Sequence, residues 1–238
     1  MSHSSIGMNR TGIQMSPLQS QQQTDIAEDT APTLPGDASD LASARQRHIS
    51  PDDSIGSVPL PGSLKGAVKT TVQKVTGHHP AMLIDKLGER LAFERNGVRL
   101  YDALIAKATA LAVSAERIAR LHHFRGEEAE HMERVKRAME QIGADPTAQT
   151  PAADVAGVAA IGVLQVITDP RTSFSQSLDA LLTAELTDNA AWELLIDMAR
   201  DAGQQEMVSS FTQALEQEQD HLGTVRIWLR EELDLQGA

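Results

Sequence analysis

The chain of 238 residues contains no cysteine, one tyrosine and two tryptophans, and aromatic residues make up 3% of it. Without a thiol there can be no disulfide, no thiolate-bound zinc or iron–sulfur cluster and no cysteine nucleophile. Basic residues are scarce as well: 21 Lys and Arg stand against 33 Asp and Glu, for a net charge of −12. Residues 81–238 hold 15 of the basic and 26 of the acidic side chains. That balance argues against nucleic acid as a partner, because a phosphate backbone must be met by clustered Lys and Arg. The longest unbroken apolar run, Val155–Leu164, falls well short of the ~20 residues a membrane helix needs. No apolar stretch follows a basic start at the amino terminus, so no secretory signal is read there. A soluble cytoplasmic protein with no membrane partner is the expectation.

Residues 1–78 contain no aromatic residue and are dense in Ser, Gln, Thr, Pro, Gly and Asp. Such a segment buries too little apolar surface to offset its ordering entropy, so a largely disordered extension is expected. Within it, Leu64, Val68, Val72 and Val75 recur at helical spacing, with Lys65, Lys69 and Lys74 elsewhere on the turn. This predicts a short amphipathic helix over 63–76, lying against the main domain or acting as a docking peptide. Nearby, Ser54-Ile55-Gly56-Ser57 and Gly62-Ser63-Leu64-Lys65-Gly66 loosely resemble the targeting peptides of cargo proteins loaded into encapsulin shells. That resemblance implies a protein partner for the extension.

From about Pro80 the texture becomes helical. Leu87, Leu91, Glu94, Val98, Tyr101 and Ile105 alternate in steps of four and three, which predicts one buried stripe on a helix over roughly 80–111. Ser114 is the expected N-cap of a second helix, with Ile118, Leu121, Glu128, Met132, Val135, Met139 and Ile142 inward. Gly143 and Asp145-Pro146 should end it. Residues 145–172 form a long connection, in which Val155 to Ile167 is apolar all round and predicts a small buried helix ending before Pro170. A third helix is expected from Thr172 or Ser173, with Leu178, Leu182, Glu185, Trp192 and Ile196 inward, ending near Gly203. A fourth follows at once, carrying Phe211, Leu215, Glu218, Leu222, Val225 and Leu229 inward, so the two make an antiparallel hairpin. Residues 79–238 are thus predicted to be all-α: a four-helix bundle with a long helical crossover.

Two motifs organise these helices. Glu128-Ala129-Glu130-His131 and Glu218-Gln219-Asp220-His221 each set a carboxylate and an imidazole three residues apart, on one helical face. Chance alone gives about 0.5 such spacings in a chain of this composition. Each is preceded by another glutamate at nearly equal distance, Glu94 by 34 residues and Glu185 by 33. The halves also repeat with offsets of 90 or 91 residues: Leu91 over Leu182, Glu94 over Glu185, Tyr101 over Trp192, Glu128 over Glu218, His131 over His221 and Val135 over Val225. The sequence therefore reads as a duplicated helical hairpin whose duplicated part includes Glu94, Glu128, His131, Glu185, Glu218 and His221.

The four glutamates fall on the inward stripes of their helices. A lone buried carboxylate must be paired, protonated or bound to a cation, and four together would repel. Two divalent ions would supply four positive charges against four negative ones, with neutral imidazoles completing the shells. A single inward glutamate could instead pair with an arginine such as Arg99 or Arg125. Tyr101 and Trp192 are expected as core aromatics. His122 and His123 do not share the position of His131. Glu127 and Glu130 are expected to face solvent or neighbouring helices, while Asp188 and Asn189 are candidates to orient the imidazoles from behind.

With these six residues and their repeat, residues 80–235 resemble the ferritin-like superfamily of di-iron carboxylate proteins. By that resemblance Glu94 and Glu185 would each be a terminal ligand of one metal. Glu128 and Glu218 would bridge the pair, and His131 and His221 would each complete one ion. The resemblance implies an enzyme of ferroxidase or oxidase type that binds two Fe ions and reacts with O₂ or H₂O₂, in iron handling or oxidative defence. A rubrerythrin-type four-cysteine module is excluded by the lack of cysteine. The extension and the 145–172 connection set the chain apart from the compact subunits of cage-forming ferritins. Carboxylate and imidazole ligands also suit manganese, so a di-manganese, catalase-like protein stays open. So do a metal-binding structural or cargo protein docked through its amino-terminal arm, and a homo-oligomer.

Overall fold

The structure is a computed structural model that describes residues 12, 15–30, 38–59 and 80–234. Every regular element among the described residues is an α-helix. The chain divides into two compact units, Met1–Ser54 and Ile55–Ala238.

The first unit holds α1 (Pro17–Thr30) and α2 (Ala38–Arg47). Two helices thus stand in a stretch whose composition predicts little regular structure. Neither has a buried residue, as a segment without an apolar face dictates. In α1 the turns are tied locally: Gln21 donates to Asp25 at 2.7 Å and Thr30 Oγ1 to the Ile26 carbonyl at 2.6 Å. The Gln21–Asp25 side-chain pair adds about 0.2–0.5 kcal/mol to the helix. The amphipathic segment expected at 63–76 lies outside the described residues.

The second unit contains α3 (Pro80–Ala110), α4 (Ala115–Ile142), α5 (Pro151–Ala159), α6 (Ile161–Thr168), α7 (Phe174–Asp201) and α8 (Gln205–Glu232). Their ends follow local chemistry. The Ser114 hydroxyl accepts from the Arg117 backbone N–H and opens α4. Gly143 closes it at φ 83°, where a side chain would be strained, and Ala144 N–H reaches back to the Met139 carbonyl at 2.9 Å. Ser173 and Gln176 form a reciprocal capping box at the start of α7. Gly203, at φ 67°, turns the chain from α7 into α8.

The long helices pack as two hairpins, α3 with α4 and α7 with α8. Contacts of α3 with α7 and of α4 with α8 close the arrangement. Helices α4 and α7, joined by the long connection, therefore sit across the arrangement from each other. The core has two apolar layers. One gathers Leu87, Leu91, Val135, Met139, Trp192 and Phe211. The other gathers Tyr101, Leu104, Leu121, Phe124, Leu178 and Val225. Every long helix contributes to both, and its buried glutamate, with the histidine on α4 and α8, falls between the two stretches. On α3 the inward line drifts slightly from the predicted stripe: Gly97 and Leu104 are buried, while Val98 and Ile105 are half-buried. Val58 also packs against the first layer, so chain well before residue 79 belongs to this unit.

The connection departs from expectation. It forms two helices that break at Ala160, and within them only Ala153 and Ile167 are buried. Val158 is 66% exposed and Val155 51%, although Pro151–Thr168 has a mean hydropathy of 1.6. The physical reason is position. Helices α5 and α6 run along α3, and α6 also meets α7, so they lie outside a core already filled by four long helices. Both ends are pinned to α3. At the start, Thr150 Oγ1 donates to the Asp85 carbonyl at 3.2 Å and Ala152 N–H to Asp85 Oδ1 at 2.9 Å. At the end, Lys107 Nζ donates to the Asp169 carbonyl at 2.9 Å and to Ser177 Oγ at 3.0 Å.

Candidate metal centre

Between the two apolar layers, Glu94 (α3), Glu128 and His131 (α4), Glu185 (α7), and Glu218 and His221 (α8) come together. None is more than 2% exposed. Helical spacing explains the pairs on α4 and α8, since three residues apart is one turn along the same face. The six form two triads, Glu94–His131–Glu218 and Glu128–Glu185–His221, and a third group, Glu94–Glu128–Asp188–Glu218, overlaps both. In each, one ligand atom per residue lies within 4.8 Å of the others.

Glu218 stands between the two histidines. Its Oε1 is 2.7 Å from His131 Nδ1 and its Oε2 is 3.3 Å from His221 Nδ1. Glu128 Oε1 is 3.4 Å from His221 Nδ1. The outer carboxylates sit further off: Glu94 Oε2 is 3.8 Å from His131 Nδ1, and Glu185 Oε2 is 4.0 Å from His221 Nδ1. Each outer carboxylate has its other oxygen engaged away from the centre. Arg90 Nε lies 2.8 Å from Glu94 Oε1, and the Tyr101 hydroxyl donates to Glu185 Oε1 at 2.6 Å.

The far nitrogens of both imidazoles are held by a single chain of hydrogen bonds. Gln217 Nε2 donates to Glu127 Oε1 at 2.6 Å, which turns the Gln217 carbonyl oxygen toward His131 Nε2 at 3.1 Å. His221 Nε2 lies 2.9 Å from Glu127 Oε2. Both acceptors require a proton on Nε2, so a neutral imidazole at either position aims its Nδ1 lone pair at the centre.

The electrostatics follow from burial and crowding. Burial raises the Glu185 carboxyl well above its ordinary range, and Glu218 and Glu128 add to the shift. Burial also raises Glu94 strongly, although Arg90 pulls the other way. Glu128 is raised by burial and by Glu218. For Glu218, burial is outweighed by contacts with His131 and His221, which hold it at about 2. Burial works against protonation of His221, yet its contacts with Glu127, Glu128 and Glu218 prevail and raise it. Taken together, the layer demands positive charge.

Several groups make no directed hydrogen bond: Nδ1 of both histidines, both oxygens of Glu218, Glu94 Oε2, Glu128 Oε2 and Glu185 Oε2. Their close mutual approaches lack hydrogen-bond direction. Unpaired buried acceptors cost about 1–3 kcal/mol each, and hard oxygen donors with two imidazoles are what first-row divalent metals accept. These buried Glu and His groups can hold a metal ion.

All six residues singled out from the sequence are in this layer. Several surrounding assignments change. Glu127 does face a neighbouring helix, α8, one of its two expected positions; its side chain is 13% exposed and anchors His221. Gln217, not anticipated, does the same for His131. Its signal was present, since it precedes Glu218 as Glu127 precedes Glu128. Asp188 does not orient an imidazole; it pairs with Arg90 at 2.9 Å. Asn189 donates to the backbone carbonyls of Glu185 and Glu218 at 2.9 and 3.1 Å. The arginine beside Glu94 is Arg90, one helical turn earlier, and Arg125 pairs with Asp102 instead. Tyr101 and Trp192 are fully buried, as expected, and Trp192 meets His131 edge-on at 5.8 Å. Glu130, His122 and His123 are exposed.

No protein-family model, no curated protein and no solved structure matches this chain.

Proposed function

We propose that the chain is a ferritin-like di-iron carboxylate protein of ferroxidase or oxidase type, which binds two iron ions and reacts with O₂ or H₂O₂. One observation carries the proposal: two buried triads, each with a histidine whose Nδ1 faces the centre and whose Nε2 is held from behind. The charge balance supports it. Four inward glutamates are matched by two divalent cations, while Arg90 and Asp188 cancel each other.

In this reading Glu94 and Glu185 would hold one ion each, while Glu218, with one oxygen toward each imidazole, and Glu128 would be available to both. Glu127 and Gln217 fix the imidazole planes and keep the proton on Nε2. Phe124, packed 4.1 Å from the His221 ring, and Trp192 keep bulk water from the layer. Bound iron would supply the one-electron steps and open coordination positions by which O₂ or H₂O₂ is reduced.

The test is metal analysis of the chain purified without added metal, followed by anaerobic Fe(II) titration and exposure to O₂. Two irons per chain, oxidised stoichiometrically, are expected. Absence of a saturable pair would discard the proposal. Manganese in the purified protein would redirect it to peroxide decomposition by the same ligands.

A further inference from the structure

We infer that the two cation positions are unequal, and that the one beside Glu185 and His221 takes a divalent cation first and more tightly. This rests on the two-metal proposal above, and it concerns the residues behind the ligands.

The duplicated halves reproduce the six ligands faithfully, but not their surroundings. Glu127 in the first half corresponds to Gln217 in the second, at the same 90-residue offset that relates the ligands. The two therefore occupy equivalent places behind the two imidazoles. One place holds an anion and the other a neutral amide. Glu127 accepts from His221 Nε2 at 2.9 Å, whereas His131 Nε2 meets only the Gln217 carbonyl oxygen at 3.1 Å. A carboxylate behind an imidazole raises its basicity and adds negative charge near the ion; an amide does neither to the same degree.

The other half of the asymmetry acts in the same direction. Arg90 corresponds to Leu181 at the 91-residue offset, so only the first half sets a guanidinium against its outer carboxylate. Arg90 Nε stands 2.8 Å from Glu94 Oε1 and draws electron density from that ligand. The corresponding carboxylate oxygen, Glu185 Oε1, accepts from the neutral Tyr101 hydroxyl. Asp188 offsets the charge of Arg90 at longer range. It does so by binding Nη1 of the same guanidinium, leaving the Nε contact with Glu94 in place. The His131 position thus has a weaker imidazole and a weaker carboxylate than the His221 position.

The experiment is an anaerobic titration of the metal-free full chain with cobalt(II), read by visible absorbance and by calorimetry. Two steps, at least about tenfold apart in affinity, are expected. Glu94→Gln should remove the weak step alone and Glu185→Gln the tight step alone. Glu127→Gln should weaken the tight step by about 10–100-fold and bring the two together. The double exchange Glu127→Gln with Gln217→Glu retains the bond between those side chains and the total charge. In that background Glu94→Gln should remove the tight step instead. Equal affinities in the unaltered chain, equal weakening of both steps by Glu127→Gln, or loss of the tight step on Glu94→Gln alone would overturn the inference. Failure of the unaltered chain to bind cobalt(II) saturably would overturn the two-metal proposal itself, and is recognised separately because no step then appears.

Discussion

Gly97 lies directly against Glu128: a Cβ built on Gly97 would stand 1.9 Å from Glu128 Oε2 and 2.7 Å from its carboxyl carbon. The glycine is in the middle of α3, where it lowers helix stability by about 0.5–1 kcal/mol relative to alanine. What it permits is the entry of a carboxylate from α4 into the centre. Gly97→Ala should therefore leave the metal-free chain helical and about as stable. Glu128 would be pushed aside, and bound divalent metal should fall from two per chain to one or fewer. Elemental analysis after gel filtration reads this directly.

Tyr101→Phe removes the one hydroxyl donating to Glu185 Oε1. The ring volume is kept, so packing in the apolar layer of Tyr101, Phe124 and Leu178 is preserved while a buried carboxylate oxygen loses its partner. A loss of about 1–3 kcal/mol in the metal-loaded protein is expected, read by urea denaturation.

Arg90 is buried with its guanidinium held by Glu94 and Asp188 and stacked on Phe93 at 4.3 Å. Arg90→Met would leave two buried carboxylates without their cation. Breaking such a pair from one side costs about 3–5 kcal/mol. Lysine should not restore the loss, because an ammonium cannot present two nitrogens in a fixed plane. Thermal and chemical denaturation of both variants test this.

The pH dependence of the metal-free chain has a definite sign. Burial raises Glu94, Glu128, Glu185 and Asp188, and the carboxylates around His221 outweigh its burial and raise it too. The folded chain then binds more protons than the unfolded one above the ordinary carboxyl range. The stability from these groups is present in acid and is lost as pH rises through their elevated values. Glu218 acts oppositely, held at about 2 by His131 and His221 against its burial, and its contribution is lost only as pH falls below about 4. The melting temperature of metal-free protein should fall from about pH 5 to about pH 8. Saturating divalent metal should flatten that fall, because binding displaces the protons. Melting curves at a series of pH values, with and without Mn(II), measure both.

The connection offers a contrast within one apolar sequence. Ile167 is fully buried, and Ile167→Ala should cost about 2–5 kcal/mol. Val158 is 66% exposed, and Val158→Ser should change stability by less than about 0.5 kcal/mol. Denaturation of the two variants side by side separates them.

Much of this was legible in the residues. Helix ends at Ser114, Gly143, Ser173 and Gly203 are written locally, in caps and left-handed turns, and they appear within a residue or two of expectation. The six inward Glu and His residues were legible too, because helical spacing fixes which face each occupies and duplication repeats it. The connection was misread for a physical reason. Apolar character says that a segment gains by being covered, but not whether space for it exists. Four long helices had already filled the interior, so α5 and α6 remained outside.

What the sequence determined by itself is the helical register: which side chains share a face, and therefore that four carboxylates and two imidazoles point the same way. What only the tertiary structure decided is which atoms meet across helices. The engagement of His221 with Glu127, of His131 with Gln217 and of Arg90 with Asp188 depends on how α3, α4, α7 and α8 lie against one another to within an ångström. Register follows from 3.6 residues per turn, whereas those meetings follow from how side-chain volumes fill a shared interior.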